Sequence, residues 1–233
     1  MKTSNIIITA LAILITGAIF FLVADSKRHV EEEKNKISYK EYPLPSFRVI
    51  VAEAGSDIHV DRSDSTFMRV EYVKGVKAPA KLYEVIHDTL HVYNGLRAFI
   101  KCKQISQIVG KNHLWINVSH FEPDSLTVKI TGGRFIYNND GAKKYTINAR
   151  KYDMNIIVND SALVYLNNSK LGNLTIKLNN AFVNNYCETK SLNAKLTHGA
   201  KLYSKDNNRV IAIEKDKTST VSIDNNDYSA IRL

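Results

Sequence analysis

The chain has 233 residues, with a hydrophobic fraction of 44% and a charged fraction of 24%, which gives room for one anchor and one sizeable folded domain. Only 4 prolines and 10 glycines are present, which excludes a collagen-like or proline-rich extended protein. The net charge of +9 suits an acidic lipid or glycan. Because the basic residues are spread along the chain and form no basic helix, we expect no nucleic-acid partner.

The first element is an apolar segment. Residues Ile6 to Ala24 are 19 consecutive uncharged and mostly apolar residues. A helix of that length spans a hydrocarbon core of about 30 Å, and it exceeds the roughly 7–15-residue core of a cleaved signal peptide. The sequence therefore predicts an uncleaved signal anchor, a transmembrane helix within residues 1–25, with a cleaved signal peptide as the alternative.

The orientation of this anchor rests on two arguments that conflict. Lys2 precedes the segment, whereas Lys27, Arg28, Lys34 and Lys36 follow it, and the positive-inside rule then favours a cytoplasmic C-terminal domain. A single N-terminal span followed by a β-rich chain favours export. We predict a single-pass protein of the cell membrane whose C-terminal domain is periplasmic or otherwise extracytoplasmic.

A polar spacer is predicted at residues 26–46. It is helical at most between His29 and Lys36, and Pro43 and Pro45 break any helix after that. The folded domain is then predicted at residues 47–233. Within it, short alternating runs predict strands; the clearest are 47–51, 58–60, 68–72, 90–92, 114–118, 126–130 and 135–137.

The C-terminal third repeats with a period of 19 residues. Ala162, Ala181, Ala200 and Ser219 are equally spaced, and each is followed two positions later by a branched aliphatic residue. A fixed period near 20 with alternation inside it is typical of a β-solenoid. We therefore predict an all-β fold, a single-stranded, β-helix-like solenoid with small residues facing a narrow interior. Asparagine pairs are predicted to form its corners, because Asn tolerates left-handed backbone.

Cys102 and Cys187 are the two cysteines of the chain. Their separation fits neither metal-ligand spacing nor a CxxC redox motif. Two separate buried thiols are favoured over a disulfide.

Several segments resemble a known family. They are SDIHVDRSDSTFMRVEY, DTLHVY, LWINVSHFEPDSLTVKITGG and LNAKLTHGAKLY, which lie between Phe47 and Ile223. Their order is similar to that of the "putative auto-transporter adhesin, head-GIN-domain" family, mostly from Bacteroidota and of unknown function. The resemblance implies an N-terminal export segment followed by a β-solenoid, and it implies no catalytic residues.

The chain offers little catalytic chemistry. His87 and His91 would lie about 13 Å apart on one strand face, too far for one metal ion. Asp57, Asp61 and Asp64 gather near one loop but form no calcium-binding signature. No nucleophile or nucleotide-binding motif is present. We predict no catalytic residues, no metal and no cofactor.

Aromatic residues are the better lead for binding. Tyr165 and Tyr203 are predicted to share one face two coils apart, with Lys201 beside Tyr203, and we name these three residues as a candidate ligand-binding site. The alternative is that the tyrosines only pack against neighbouring coils.

The favoured function is therefore a non-enzymatic, membrane-anchored envelope protein whose solenoid is an adhesin-like binding or scaffolding surface for a glycan or another envelope protein. The alternative is a carbohydrate-active enzyme on the same scaffold, which requires paired carboxylates in one groove.

Overall fold

A computed structural model describes residues 13–28, 37–74, 81–93, 95, 97–121, 123–139, 152–205, 210–224 and 231–232. The chain divides into two compact units, one of Met1–Lys40 with Glu71–Ala78 and one of Glu41–Val70 with Pro79–Leu233. The first contains the helix α1, residues 13–28, whose side chains are exposed.

Among the described residues, no helix combines the length and the apolarity needed to cross a bilayer. The beginning of the predicted span, residues 6–12, lies outside the described residues, as does the predicted helical part of the spacer, 29–36.

The rest of the described chain is mostly β-strand, which confirms the all-β prediction. The strands in chain order are β1 Ile37–Pro43, β2 Val49–Ala52, β3 Asp57–Arg62, β4 Phe67–Val73, β5 Tyr83–Ile86, β6 Thr89–Val92, β7 Arg97–Cys102, β8 Gln107–Lys111, β9 Trp115–Ser119, β10 Ser125–Thr131, β11 Arg134–Asn138, β12 Tyr152–Asn159, β13 Leu163–Asn179, β14 Phe182–Thr197, β15 Lys201–Lys205, β16 Val210–Lys215, β17 Thr220–Asp224 and β18 Ile231–Arg232.

Strand β1 lies inside the segment predicted as a spacer. It pairs with β4, and Arg69 on β4 donates two hydrogen bonds to one carboxylate oxygen of Glu41 on β1. Leu44 and Phe47, just after β1, are buried. The β-structure therefore begins within the predicted spacer, because this segment carries enough apolar residues to pair and pack.

The strands form two parallel stacks, and most neighbours within each stack lie 18 to 20 residues apart along the chain. The first stack has the spatial order β6, β2, β8, β10, β12, the second half of β13, the second half of β14, β16 and β18. The second stack has the order β7, β3, β9, β11, the first half of β13, the first half of β14, β15 and β17.

Alternation within the strands explains why they form. In β3 and β9, for example, Ile58, Val60, Ile116 and Val118 are 0 to 1% exposed while the residues between them face outward. Successive side chains of a strand point to opposite sides, so one apolar set enters the core. Each fully buried aliphatic side chain contributes about 1.5–3 kcal/mol.

The chain passes from the first stack to the second through tight corners with left-handed backbone. Gly55, Gly133, Ser161, Asn180 and His198 all have positive φ at these corners. Gly133 is required for a second reason, since a Cβ there would stand 2.6 Å from the Leu114 amide nitrogen and closer still to its carbonyl oxygen.

Asparagine pairs form only some of the bends. Asn180 and Asn168 have positive φ, as the prediction requires. The prediction is wrong for Asn184 and Asn185, which lie within β14. There Asn185 is fully buried, where its amide donates to Ser204 Oγ at 3.0 Å and its oxygen accepts from the Cys187 amide.

Small residues line the inside of the corners that lead into the second stack. Ala162, Ala181, Ala200 and Ser219 are 0 to 6% exposed. These residues occupy equivalent positions before successive strands of the second stack. The amides of Phe182, Lys201 and Thr220 donate to the carbonyls of Ala162, Ala181 and Ala200. The inward position predicted for this column is confirmed.

Antiparallel strands cover one edge of each stack. β5 pairs with β6 in the first stack, and β4 pairs with β7 in the second. An uncovered edge strand presents free backbone groups to other chains, and β5 and β4 pair with those groups on β6 and β7.

The two cysteines are free and buried, which agrees with the favoured interpretation. Burial raises the pKa of each thiol to about 12. At neutral pH both are protonated thiols that pack as apolar side chains.

Candidate binding surface

The outward side of the second stack from β9 to β15 carries most of the exposed aromatic residues of the described strands. We call this surface the aromatic face, and the register aligns its residues in three rows. The first row is Trp115, Arg134, Leu163, Phe182 and Lys201. The second row is Asn117, Ile136, Tyr165, Asn184 and Tyr203. The third row is Ser119, Asn138, Asn167 and Tyr186, with Lys205 on the outward side of β15.

Large apolar side chains remain accessible on this face. Trp115 is 45% exposed, Tyr186 is 43% and Leu163 is 38%. Outward positions of a strand normally carry polar residues, so exposed aromatic side chains there need an explanation other than the core. Contiguous exposed apolar surface marks a binding site in soluble proteins.

Arg134 lies between two of these aromatic rings. Its guanidinium carbon is 5.0 Å from the centre of the Trp115 ring and 4.7 Å from that of Tyr165. These are cation–π distances, and stacking of this kind holds the guanidinium plane in a fixed orientation. The two rings thus position a permanent positive charge on the aromatic face.

A groove of about 310 Å³ lies next to this stacked group on the same stack. Its walls include Phe182, Asn184, Tyr186, Lys201 and Tyr203. The rings of Tyr186 and Tyr203 are 5.6 Å apart and tilted by 51°. The groove thus offers two adjacent rings, an amide and an ammonium group to one ligand.

The three residues proposed from the sequence all lie on this face. Tyr165 and Tyr203 share the second row with Asn184 between them, which places them about 10 Å apart at the usual strand spacing. Lys201 and Tyr203 line the groove, whereas Tyr165 lies outside it and stacks on Arg134. Whether the three residues bind a ligand remains a prediction.

Sequence reasoning missed Trp115, Arg134 and Phe182. It considered Tyr186 with the other two tyrosines but left it out of the candidate site. Trp115 and Arg134 are aligned partners at the same 19-residue spacing as the later coils. The period was hidden because the next aligned residue, Leu163, follows a longer connection that includes residues 140–151, outside the described part of the chain. Extending the period upstream of that insertion would have found both residues.

The charges of the aromatic face are all positive. Its three rows carry Arg134 and Lys201, with Lys205 beside them, and the described residues of these rows include no carboxylate. Glu188, the next outward residue of β14 after Tyr186, pairs with Lys170 at 3.6 Å, and Asp224 on β17 is the register neighbour of Lys205. Acidic residues also lie on β3, which is the strand next to β9. Asp57 Oδ2 is 3.2 Å from Arg97 Nε, and Asp61 Oδ2 is 2.5 Å from Lys101 Nζ. Asp57 and Asp61 on β3 are thus neutralised by basic residues of β7, and the three rows of the aromatic face keep a positive charge.

Asp61 also contacts His120, with its Oδ1 2.7 Å from the ring Nδ1. Burial acts to raise the pKa of Asp61, but hydrogen bonds from Lys101 and His120 outweigh it and lower the pKa below its ordinary value. Asp61 is therefore an ionised partner of two basic groups. A general acid needs the opposite shift, because it must hold a proton near neutral pH.

The other sequence candidates are not brought together. His87 lies at the turn before β6 with a φ of 57°, and His91 lies on β6. His198 forms a corner, as expected, and its backbone amide donates to Asp216. Within the described residues, no cluster of three His, Cys, Asp or Glu side chains could hold a metal ion.

The outward side of the first stack has a different composition. Thr127, Asn155, Thr175 and Asn193 align in one row. Lys177 and Lys195 align in the next row, and Lys195 forms an ion pair with Glu214 at 2.7 Å. This polar side gives a matched reference for the aromatic face.

Two solved structures share the fold of this chain. A "putative adhesin" from Bacteroides fragilis matches with a TM-score of 0.52 and 12% identity over 81% of this chain and 93% of that one. A "putative adhesin" from Parabacteroides merdae matches with a TM-score of 0.50 and 12% identity over 81% and 94%. No family model matches the chain, and no curated protein matches it significantly. The family resemblance noted in the sequence therefore stays a prediction.

Proposed function

We propose that this is a non-enzymatic, membrane-anchored protein of the cell envelope whose stacked strands form a β-solenoid with an adhesin-like binding surface. The parallel register and the repeated left-handed corners support the solenoid. A chain that adds one parallel strand to each stack in every turn must wind in one direction. The anchor at residues 1–25 and the extracytoplasmic location rest on the sequence.

The observation that carries the binding role is the aromatic face. Its rings cover a row of strands without entering the core, and a cation is fixed between two of them. Aromatic residues and Arg dominate binding energy where they are presented on a rigid surface. The two structural neighbours carry the name of adhesins, which agrees with this role, while their likeness supports the fold.

The enzymatic alternative is less well supported. Glycoside hydrolysis requires two carboxylates that flank the scissile bond. None of the described residues that line the groove is a carboxylate, and Asp57 and Asp61 are held in ion pairs. A glycan or an envelope protein is therefore proposed as a bound partner and not as a substrate.

Sedimentation with isolated cell envelopes of the native organism tests this function. The full-length chain, purified in a mild detergent, is expected to sediment with at least one envelope fraction. In a Tyr165→Ser/Tyr203→Ser variant the affinity falls at least about tenfold, because loss of aromatic contacts of this kind costs about 2 kcal/mol.

The matched control is Thr127→Ala/Thr175→Ala, which alters two aligned residues on the polar side of the first stack. It is expected to sediment as the unmodified chain does. If the unmodified chain binds no fraction, or if the two double variants lose binding equally, the aromatic face is not a binding surface.

A further inference from the structure

The charge of the aromatic face restricts its ligand. Arg134 and Lys201 belong to the same row, and in the described part of the chain neither has a carboxylate partner. By contrast, Arg97, Lys101 and Lys195 all pair with acidic residues. Cations left without partners on a binding face attract an anionic ligand and increase its rate of association.

The length of the face sets the size of that ligand. Arg134 on β11 and Lys201 on β15 are separated by three strand spacings, or about 14 Å. A ligand that reaches both charges is longer than one sugar ring and lies across the strands. The Tyr165 and Tyr203 rings also follow one another across the strands, in the direction from Arg134 to Lys201.

The side chains between the charges suit a carbohydrate. Rings can stack on the apolar faces of sugars, and tyrosine hydroxyls and amides can hydrogen-bond their hydroxyl groups. Asn184 supplies an amide in the same row, between Tyr165 and Tyr203, and Asn167 supplies one in the next row. The groove of about 310 Å³ is lined by Tyr186 and Tyr203 and is open to solvent, which suits a polymer chain that passes along the face.

We infer that the ligand of the aromatic face is an acidic polysaccharide that lies across the strands, with sugar rings on Trp115, Tyr165 and Tyr203 and acidic groups at Arg134 and Lys201. The inference rests on the proposed function and adds the chemical class of the ligand. Arg134 is suited to a carboxylate or sulfate because its plane is already fixed by the two rings, so little freedom is lost on binding.

Binding of acidic polysaccharides and their neutral derivatives tests the inference. The purified full-length chain is titrated with polygalacturonate, alginate and hyaluronan, and with the carboxyl-reduced form of each. At least one acidic polymer is expected to bind, with its reduced form at least tenfold weaker. Arg134→Gln and Lys201→Gln are each expected to weaken that binding at least tenfold.

The control is Lys177→Gln, which removes an exposed lysine from the outward side of the first stack. It should change binding less than twofold, and circular dichroism of all three variants should match that of the unmodified chain. An equal loss in Lys177→Gln would mean diffuse attraction to the net charge and would overturn the inference.

The remaining outcomes separate this inference from the proposed function. If acidic and reduced polymers bind equally, or if none of the polymers binds, the ligand is not an acidic polysaccharide. If Tyr165→Ser/Tyr203→Ser still abolishes envelope binding in that case, the binding function stands with a neutral glycan or a protein as the ligand. If the tyrosine variant keeps envelope binding and the Arg134→Gln and Lys201→Gln variants keep polysaccharide binding, both the proposed function and this inference are rejected.

Discussion

At the scale of single residues, Asp216 organises one corner of the stacks. Its carboxylate accepts hydrogen bonds from the hydroxyls and amides of Thr218 and Ser219 and from the His198 amide of the preceding coil. The hydrogen bond from the Ser219 hydroxyl and the one from the His198 amide hold the pKa of Asp216 well below its ordinary value of 3.8. The charged form is therefore the one that stabilises the corner.

We predict that Asp216→Asn lowers Tm by a few degrees near neutral pH, because the new amide group cannot accept the His198 hydrogen bond. Since the folded-state pKa is depressed, the contribution of the carboxylate is fully present above the unfolded value and is lost as pH falls through the folded value. The Tm difference is thus constant from about pH 5 to 8 and shrinks below about pH 4. Thermal unfolding followed by circular dichroism measures it, and a difference that grows on acidification would contradict this assignment.

Gly133 and Gly199 form a matched pair at two corners. Both have positive φ, at 87° and 75°, but a Cβ at Gly133 meets the Leu114 backbone while one at Gly199 meets nothing within 4 Å. Gly199→Ala is therefore expected to cost only the backbone term of about 1–2 kcal/mol. Gly133→Ala should cost clearly more, or prevent folding, in urea unfolding of both variants. Equal costs would mean that the corner at Gly133 relaxes.

At the scale of elements, the small-residue column limits how closely the coils pack. Ala200 is fully buried, and Lys201 beside it points outward. We predict that Ala200→Leu destabilises the protein by about 1–3 kcal/mol, because the added atoms overpack the interior. Lys201→Leu introduces the same leucine side chain at the next residue, which faces outward. This variant should change the free energy of unfolding by less than about 0.5 kcal/mol. Similar losses in urea unfolding would show that the column is not sterically restricted.

This column also shows what the sequence can predict. The spacing of Ala162, Ala181 and Ala200 predicted the register of the later coils, because each coil must place a small residue at the same corner. The aromatic face was only partly predicted. Trp115 and Arg134 are separated in the sequence from Tyr165 by the long connection after β11, and only the strand register brings them together. A surface assembled from several coils leaves no motif within any single one.

At the scale of the whole molecule, the stacks carry charge unevenly. Acidic and basic residues pair on β3 and β7, whereas Arg134 and Lys201 on the aromatic face form no ion pair within the described residues. The net charge of +9 alone would give only diffuse attraction to acidic surfaces. Rings that fix one of these cations add specificity, because they define where along the face an anionic group is held.

The location of the folded chain decides which partners this face can meet. Lys27 and Arg28 follow the predicted anchor and favour retention in the cytoplasm, whereas an envelope-binding role requires export. We predict that a protease added to intact cells or to spheroplasts cleaves the C-terminal domain, with a cytoplasmic protein as the protected control. Cleavage in intact cells would place the aromatic face at the cell surface, and cleavage only in spheroplasts would place it in the periplasm. Protection until lysis would mean that the flanking charges set the orientation, and the envelope role would then be wrong.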